Sequence, residues 1–272
     1  MACPDCASTD TTKRQGRTAL GYWRFRCRSC RRRFNERTGT PFNDLQYPTD
    51  IVLLAVLWRL RYKLGFRDVA EMLLQRGYEV THETIRTWEF RFAPLLADQL
   101  RAKRRGRAGA SWYLDETYVK VAGRWCYLYR ALDREGVLLD SMLSAHRDRH
   151  AARRFLRRLV DIAERKPQRV TTDHHPPYRR AMRWILGRTV LHRCKRYLNN
   201  FIKQDHRAVK QRYRPMLGFG SFASAARFCS AFDELRQYFR VRHRPGERVP
   251  MAEQRRLFGT RWRSRIAEMQ AA

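Results

Sequence analysis

The chain has 272 residues, 43% of them hydrophobic, and its 58 lysines and arginines against 26 acidic residues give a formal net charge of +32 at pH 7. That length and apolar content suit a small reading module followed by one larger domain with its own core. A charge so large repels itself unless a polyanion neutralises it, which makes nucleic acid the first partner to consider, although a ribosome-associated or heparin-like binder shares the same composition. A membrane span is excluded, because the longest apolar run, Ile51 to Trp58, stops at Arg59. The opening Met1-Ala2-Cys3-Pro4 lacks the charged-then-apolar plan of a signal peptide, so the expected location is the cytoplasm, in association with the nucleoid. In that reducing compartment the seven cysteines are thiols or metal ligands rather than disulfides.

Four of those cysteines fall as Cys3-x-x-Cys6 and Cys27-x-x-Cys30 with twenty residues between the pairs. A C-x-x-C turn lets two thiolates grip one face of a metal, and two turns complete the closed tetrahedral site that structural zinc prefers. A redox pair is the alternative, but it fits a single C-x-x-C beside a βαβ unit better. Between the pairs, Tyr22, Trp23 and Phe25 alternate with Arg24 and Arg26, a strand with one apolar and one basic face. After Pro48, Ile51, Leu54, Ala55 and Trp58 recur at helical spacing behind the cap candidate Thr49. Phe66 to Leu74 reads as a second helix ending at Gly77, and a third begins at Thr81. Helix, short glycine-containing turn and helix form a helix-turn-helix, whose second member shows its first turns to base edges in a major groove. His82, Glu83, Thr84, Arg86 and Thr87 then form the reading side, while Ile85 and Trp88 are core. A plain three-helix packing unit is the alternative.

Arg101 to Ala110 reads as a basic linker. Beyond it Trp112 to Val121, Trp125 to Ala131 and Val137 to Leu143 form a three-stranded meander, with Gly123 and Asp133-Arg134-Glu135-Gly136 at the turns. A helix through Ala151, Phe155, Leu156 and Leu159 and a short strand Arg169 to Thr172 follow. Strands one to three, a helix and a fourth strand are the opening order of an RNase H-like fold. In that order an aspartate inside strand one, Asp115, and another at the end of strand four, Asp173, lie side by side. Two such carboxylates suit magnesium, which needs only one or two carboxylates besides waters and phosphate oxygens. Glu116, one residue on, faces the opposite side of the sheet. Cys126, Cys194 and Cys229 share no ligand spacing and read as small buried residues. Asn199 to Tyr213 reads as a basic helix on which Arg207, Lys210 and, just beyond it, Arg214 contact phosphates or simply face water. Phe222 to Phe239 is a last helix, and the basic segment from Arg240 is a mobile or DNA-associated tail.

The blocks Tyr113 to Lys120, Gly123 to Ala131, Thr171-Thr172-Asp173, Tyr197-Leu198-Asn199-Asn200, Gln204-Asp205-His206-Arg207 and Arg214 to Phe219 resemble, in order, those of the insertion-sequence-six family of bacterial DDE transposases. His82-Glu83-Thr84-Ile85-Arg86 resembles that family's helix-turn-helix, and the likeness runs from about Asp44 to Phe232. The resemblance implies an enzyme that cuts and rejoins DNA at the ends of its own element by water or 3′-hydroxyl attack. It implies Asp115 and Asp173 as the first two catalytic acids holding magnesium or manganese, and a homo-oligomer that acts on double-stranded element ends and target. The third acid of the family stands immediately before the Gln-Asp-His-Arg block, where this chain has Lys203. A lysine carries three donors and no acceptor, so it cannot ligate a metal, and its ammonium competes with the ion for both aspartates. Asp205 cannot replace it, because two residues along a helix turn a side chain by roughly 200°. A copy that binds its element's ends but cuts poorly or not at all is expected, with a non-catalytic DNA-binding regulator as the alternative function. An RNase H-like RNA nuclease is a third reading, for which a helix-turn-helix is a strange companion. The expected fold class is mixed α/β, with a zinc ribbon over 1–43, a helix-turn-helix over 44–100, a linker over 101–110, an RNase H-like catalytic domain over 111–240 and a basic tail over 241–272.

Overall fold

The computed structural model describes residues 1–173, 176–194, 199–213, 216, 218–241 and 248–271, with backbone alone at 201 and 271. Of the positions singled out above, Tyr197, Leu198, Arg214, Pro215 and Leu217 lie outside them. Two compact units emerge, one of residues 1–55 with 241–272 and one of residues 56–240.

In the first unit β1 (Thr11–Arg17), β2 (Trp23–Cys27) and β3 (Arg33–Asn35) make an antiparallel sheet in that order. The two faces expected of β2 are present. Phe25 stacks on Phe34 with ring centroids 5.5 Å apart, while Arg24 and Arg26 are exposed. Trp23 is covered from β1 by Lys13 and Arg17, at 3.4 and 4.2 Å from its ring centre. The helix α1 (Thr49–Arg61) starts at Thr49 itself, whose backbone N–H donates to the Tyr22 hydroxyl at 3.0 Å. The apolar stripe anticipated on α1 is corrected by the structure. Of the expected stripe Ala55 is buried but Ile51, Leu54 and Trp58 are half-exposed, whereas Val52, Leu53, Val56, Leu57 and Leu60 are buried. A helix apolar nearly all round offers no contrast from which to choose a face.

The second unit continues with α2 (Phe66–Leu74) and α3 (His82–Lys103). The Asp68 carboxylate accepts from the Gly65 N–H at 2.6 Å and fixes the start of α2, and Thr81 caps α3 by accepting from the Thr84 N–H. The turn between them needs Gly77, whose φ of +80° a side chain would strain. A buried ion pair, Arg59 Nε to Glu89 at 3.2 Å, ties α1 to α3.

Behind α3 lies a five-stranded sheet of β4 (Ser111–Val121), β5 (Arg124–Asp133), β6 (Leu138–Ser144), β7 (Arg169–Thr172) and β8 (Leu191–Cys194), ordered β6-β5-β4-β7-β8. The first three strands pair antiparallel, while β7 runs parallel to β4 and β8 parallel to β7, which is the RNase H-like arrangement. On one face α4 (Arg149–Ala163) and α5 (Pro176–Ile185) cover a core of Trp112, Leu114, Tyr129, Phe155, Leu156, Leu159, Val170 and Tyr178. On β4 the period of two sends Trp112, Leu114 and Glu116 to that face and leaves Asp115 for the other. There α6 (Asn200–Tyr213) packs on β4, and α7 (Phe222–Phe239) packs on β6 and α3.

The segment expected to be a mobile tail is instead the helix α8 (Met251–Ala271), counted with the ribbon in the first unit. Gln270, near its end, shares a small cavity with Tyr22, Glu36, Arg37, Thr40 and Thr49. No helix among the described residues is long and apolar enough to cross a membrane.

Candidate active site and metal centre

The parallel register of β4 and β7 pairs Tyr113 with Thr171. Two residues further along each strand stand Asp115 and Asp173, so the topology brings the two acids level, as the sequence implied. Asp115 is buried and Asp173 is about one quarter open. Burial pushes the Asp115 carboxyl up to about 7, with the negative charges of Glu116 and Asp173 adding to the effect and Lys203 and the Glu116 backbone N–H opposing it. Asp173 and Lys203 therefore both reach Asp115 electrostatically. The Asp173 carboxylate also lies 3.7 Å from the Arg147 guanidinium. Glu116 points the other way, as expected, where it accepts from the Tyr178 hydroxyl at 2.6 Å and from Arg147.

The helix that carries residue 203 is held against β4 by Asn199, whose amide donates to the Leu114 carbonyl at 3.0 Å. Lys203 is half-buried and His206, three residues on and on the same side of α6, places Nδ1 3.9 Å from Asp115 Oδ2. Among the described residues Lys203 forms no ion pair, so it acts on the acids through its field and not by contact. His206 is kept neutral at ordinary pH, since burial and then Arg130 pull its pKa down to about 3, and its Nε2 has no hydrogen-bond partner among the described residues.

Asp205 also faces the sheet, toward Arg130, which stands directly opposite Asp115 in the β4–β5 ladder. There it pairs with Arg130 and Arg236, each at 2.6 Å, and the favourable charges of these two arginines hold its carboxyl below the ordinary range despite burial. Arg130, fully buried on β5, also forms a two-pronged pair with Asp233 of α7 at 2.8 and 3.0 Å. The next residue of α7, Glu234, receives Arg104 at 2.5 and 2.8 Å. A chain of buried charges thus runs from the end of α3 through α7 and β5 to α6. The linker arginines Arg101 and Arg104 belong to it and are not a solvated basic stretch. No local motif announces these pairs, because Arg130 finds its partners far along the chain.

The residues present test the fit of a divalent ion. Two carboxylates on adjacent strands supply enough oxygen for one hard cation, but the third position offers an ammonium, and the neighbouring His206 is 3.9 Å from the acid already. In the ribbon the fit is complete. The four sulfurs of Cys3, Cys6, Cys27 and Cys30 lie within 4.8 Å of one another, with Cys3 to Cys30 at 3.6 Å and Cys6 to Cys27 at 3.5 Å. A tetrahedron with metal–sulfur bonds of about 2.3 Å has edges of roughly 3.8 Å, so the site is already shaped for a metal. The Cys30 backbone N–H aimed at Cys27 favours its thiolate and brings that pKa down to about 6.

At the start of α3 the structure exposes Glu83, Arg86 and Thr87, leaves His82 and Thr84 half-exposed, and buries Ile85 and Trp88. Arg86 and His82 both rest on Glu83, at 3.0 and 3.1 Å. On α6 Arg207 is exposed and Lys210 half-exposed, while Arg214 lies outside the described residues.

Residues 109–242 match the DDE domain family and residues 1–31 match the InsA N-terminal domain. Over 175 residues, 63% of this chain and 77% of the relative, the sequence is 42% identical to the transposase for insertion sequence-like element IS431mec of Staphylococcus aureus strain Mu50. The transposase for insertion sequence element IS257 in transposon Tn4003, from the same species, matches with the same identity and coverage. An uncharacterized protein of Yersinia pseudotuberculosis, pYV0051, is 41% identical over 73 residues, 26% of this chain and 68% of that one. Among solved structures, the HTLV-2 integrase catalytic core domain in complex with magnesium aligns over 52% of this chain and 93% of its own, at 11% identity and a TM-score of 0.38.

Proposed function

This chain belongs to the insertion-sequence-six family of DDE transposases, and we propose that it binds double-stranded DNA at the ends of its own element but cuts that DNA poorly or not at all. One observation carries the second half of the reading: Lys203, at the place of the third acid, faces Asp115 from the helix packed on β4. Asp115 and Asp173 are the residues that would hold magnesium or manganese. When bound, such ions activate the attacking oxygen and steady the leaving one. Lys203 raises the positive potential where the cation would sit, and neutral His206 supplies no compensating charge.

Recognition falls to the exposed first turns of α3, where His82, Thr84, Arg86 and Thr87 reach base edges, while Arg207, Lys210 and Arg214 meet phosphates. Bringing two element ends together requires at least two protomers, so the working form is a homo-oligomer. Occupation of the ends without cutting is also the behaviour of a site-bound regulator, and Lys203 favours that second reading.

Mobility-shift assays test the recognition half. The protein as written is expected to prefer DNA carrying the element's ends over random DNA, and Arg86→Ala to lose about 1–3 kcal/mol of that preference. Equal weakening on both DNAs would remove the assignment of α3.

Zinc in the ribbon completes the reading. One zinc per chain is expected by elemental analysis, and Cys27→Ser is expected to lose it together with the protection from hydrogen exchange of β2 and β3, while β4 and β5 keep theirs. Metal-free protein with a protected ribbon would contradict the assignment.

A further inference from the structure

We propose that the groove between α5 and β8 holds the sugar–phosphate backbone of a DNA strand that runs away from the Asp115 and Asp173 end of the sheet. The inference rests on the DNA-handling reading above and adds a contact surface distinct from α3 and α6.

The groove encloses about 1050 Å³ and is lined by Arg179, Arg180, Arg183 and Arg188 with His192 and Cys194 of β8. On α5, Pro176, Arg179, Arg180 and Arg183 recur at intervals of three and four and form one stripe, opposite the buried Tyr178 and Ala181, with Met182 at the groove's floor. All four arginines are exposed, and among the described residues none is held in a hydrogen bond or ion pair. Several other arginines of this unit are engaged: Arg130 and Arg104 in the buried network, Arg147 on Glu116, and Arg158 on Asp140 at 2.8 Å. The described lining contains no carboxylate. Four guanidiniums around one groove with no carboxylate in its described lining are arranged for an anion.

Position selects the anion. In the parallel register of β7 and β8, Thr172 stands beside Cys194, and the Thr172 hydroxyl lies 2.9 Å from His192 Nε2. Asp173 is the next residue, so the groove opens at the end of the sheet where the acid pair sits. A strand seated near Asp115 and Asp173 has this groove as a continuation, and an extended polyanion can engage all four arginines at once.

The test is the salt dependence of binding to a random-sequence duplex, measured by fluorescence anisotropy on the full chain. Replacing Arg179, Arg183 and Arg188 together by Gln is expected to lower the slope of log affinity against log salt by about 2–3, since each phosphate contact contributes about 0.9. The same three positions as Lys are expected to keep the slope. A variant with the same change in charge at the far end of the sheet, Arg134→Gln with Arg165→Gln and Lys166→Gln, is also expected to keep it. An unchanged slope in the groove variant, or an equal fall in the distant one, overturns the proposal. So does inorganic phosphate that displaces DNA from the unsubstituted protein at constant ionic strength, because the groove is then a small-anion site. A random duplex needs no recognition of element ends, so failure of the α3 assignment and failure of this one are read separately.

Discussion

Replacing Asp233 by alanine is expected to destabilise the unit of residues 56–240 by about 3–5 kcal/mol, the range for removing one partner of a buried charge pair. Arg130 is 1% exposed and stays ionised, since its two acids hold the guanidinium pKa up against burial. Without Asp233 it keeps only Asp205 and loses the two hydrogen bonds that satisfied Nε and Nη2. The remaining pair is then over-positive, because Arg236 also draws on Asp205. Hydrogen exchange of the β5 amides follows this unit without interference from the ribbon. Because the charges are buried, the loss is expected to persist at about 1 M salt, where exposed pairs are screened. A loss below about 1 kcal/mol, or one that vanishes in salt, would show that the chain of buried charges does not hold this unit together. Asp205→Asn is expected to cost less stability than Asp233→Ala, since Arg130 keeps its two-pronged partner.

Much of the site was legible because its spacing is local. The two C-x-x-C turns needed only their separation, and the period of a strand was enough to put Asp115 and Glu116 on opposite faces. Helix geometry argued against Asp205 as a substitute acid, and the structure engages it in a buried pairing with Arg130 and Arg236. Long-range pairings could not be read in this way. Arg130, Asp233 and Glu234 carry no motif, and only the packing of α7 on α3 and β6 brings them into one line. The face of α1 was misjudged because that helix is apolar nearly all round between Ile51 and Trp58. The helix α8 was missed for the opposite reason: Phe258, Trp262, Ile266 and Met269 do recur at helical spacing, but Gly259 and a dense set of arginines obscure them. Lys203 was legible as a departure from a motif. The structure shows that it influences Asp115 without pairing to it, whereas direct competition for both acids had been expected.

The most direct measurement is strand cleavage and joining, in magnesium or manganese, on DNA carrying the element's ends, comparing the protein as written with Lys203→Glu and with Lys203→Glu, Asp115→Asn. Lys203→Glu exchanges an ammonium for a carboxylate on the face of α6 that carries His206, so it adds a ligand and removes a repulsion that Coulomb's law puts at roughly 8 kcal/mol for a divalent ion at ~4 Å and an effective dielectric of ~20, an upper figure. Even a quarter of that, about 2 kcal/mol, is a gain of about thirtyfold in a rate limited by metal occupancy. Cleavage by Lys203→Glu alone, abolished again by Asp115→Asn, is the result expected. Cleavage by the protein as written at the rate of Lys203→Glu would contradict the account and mean that a group other than residue 203 completes the site.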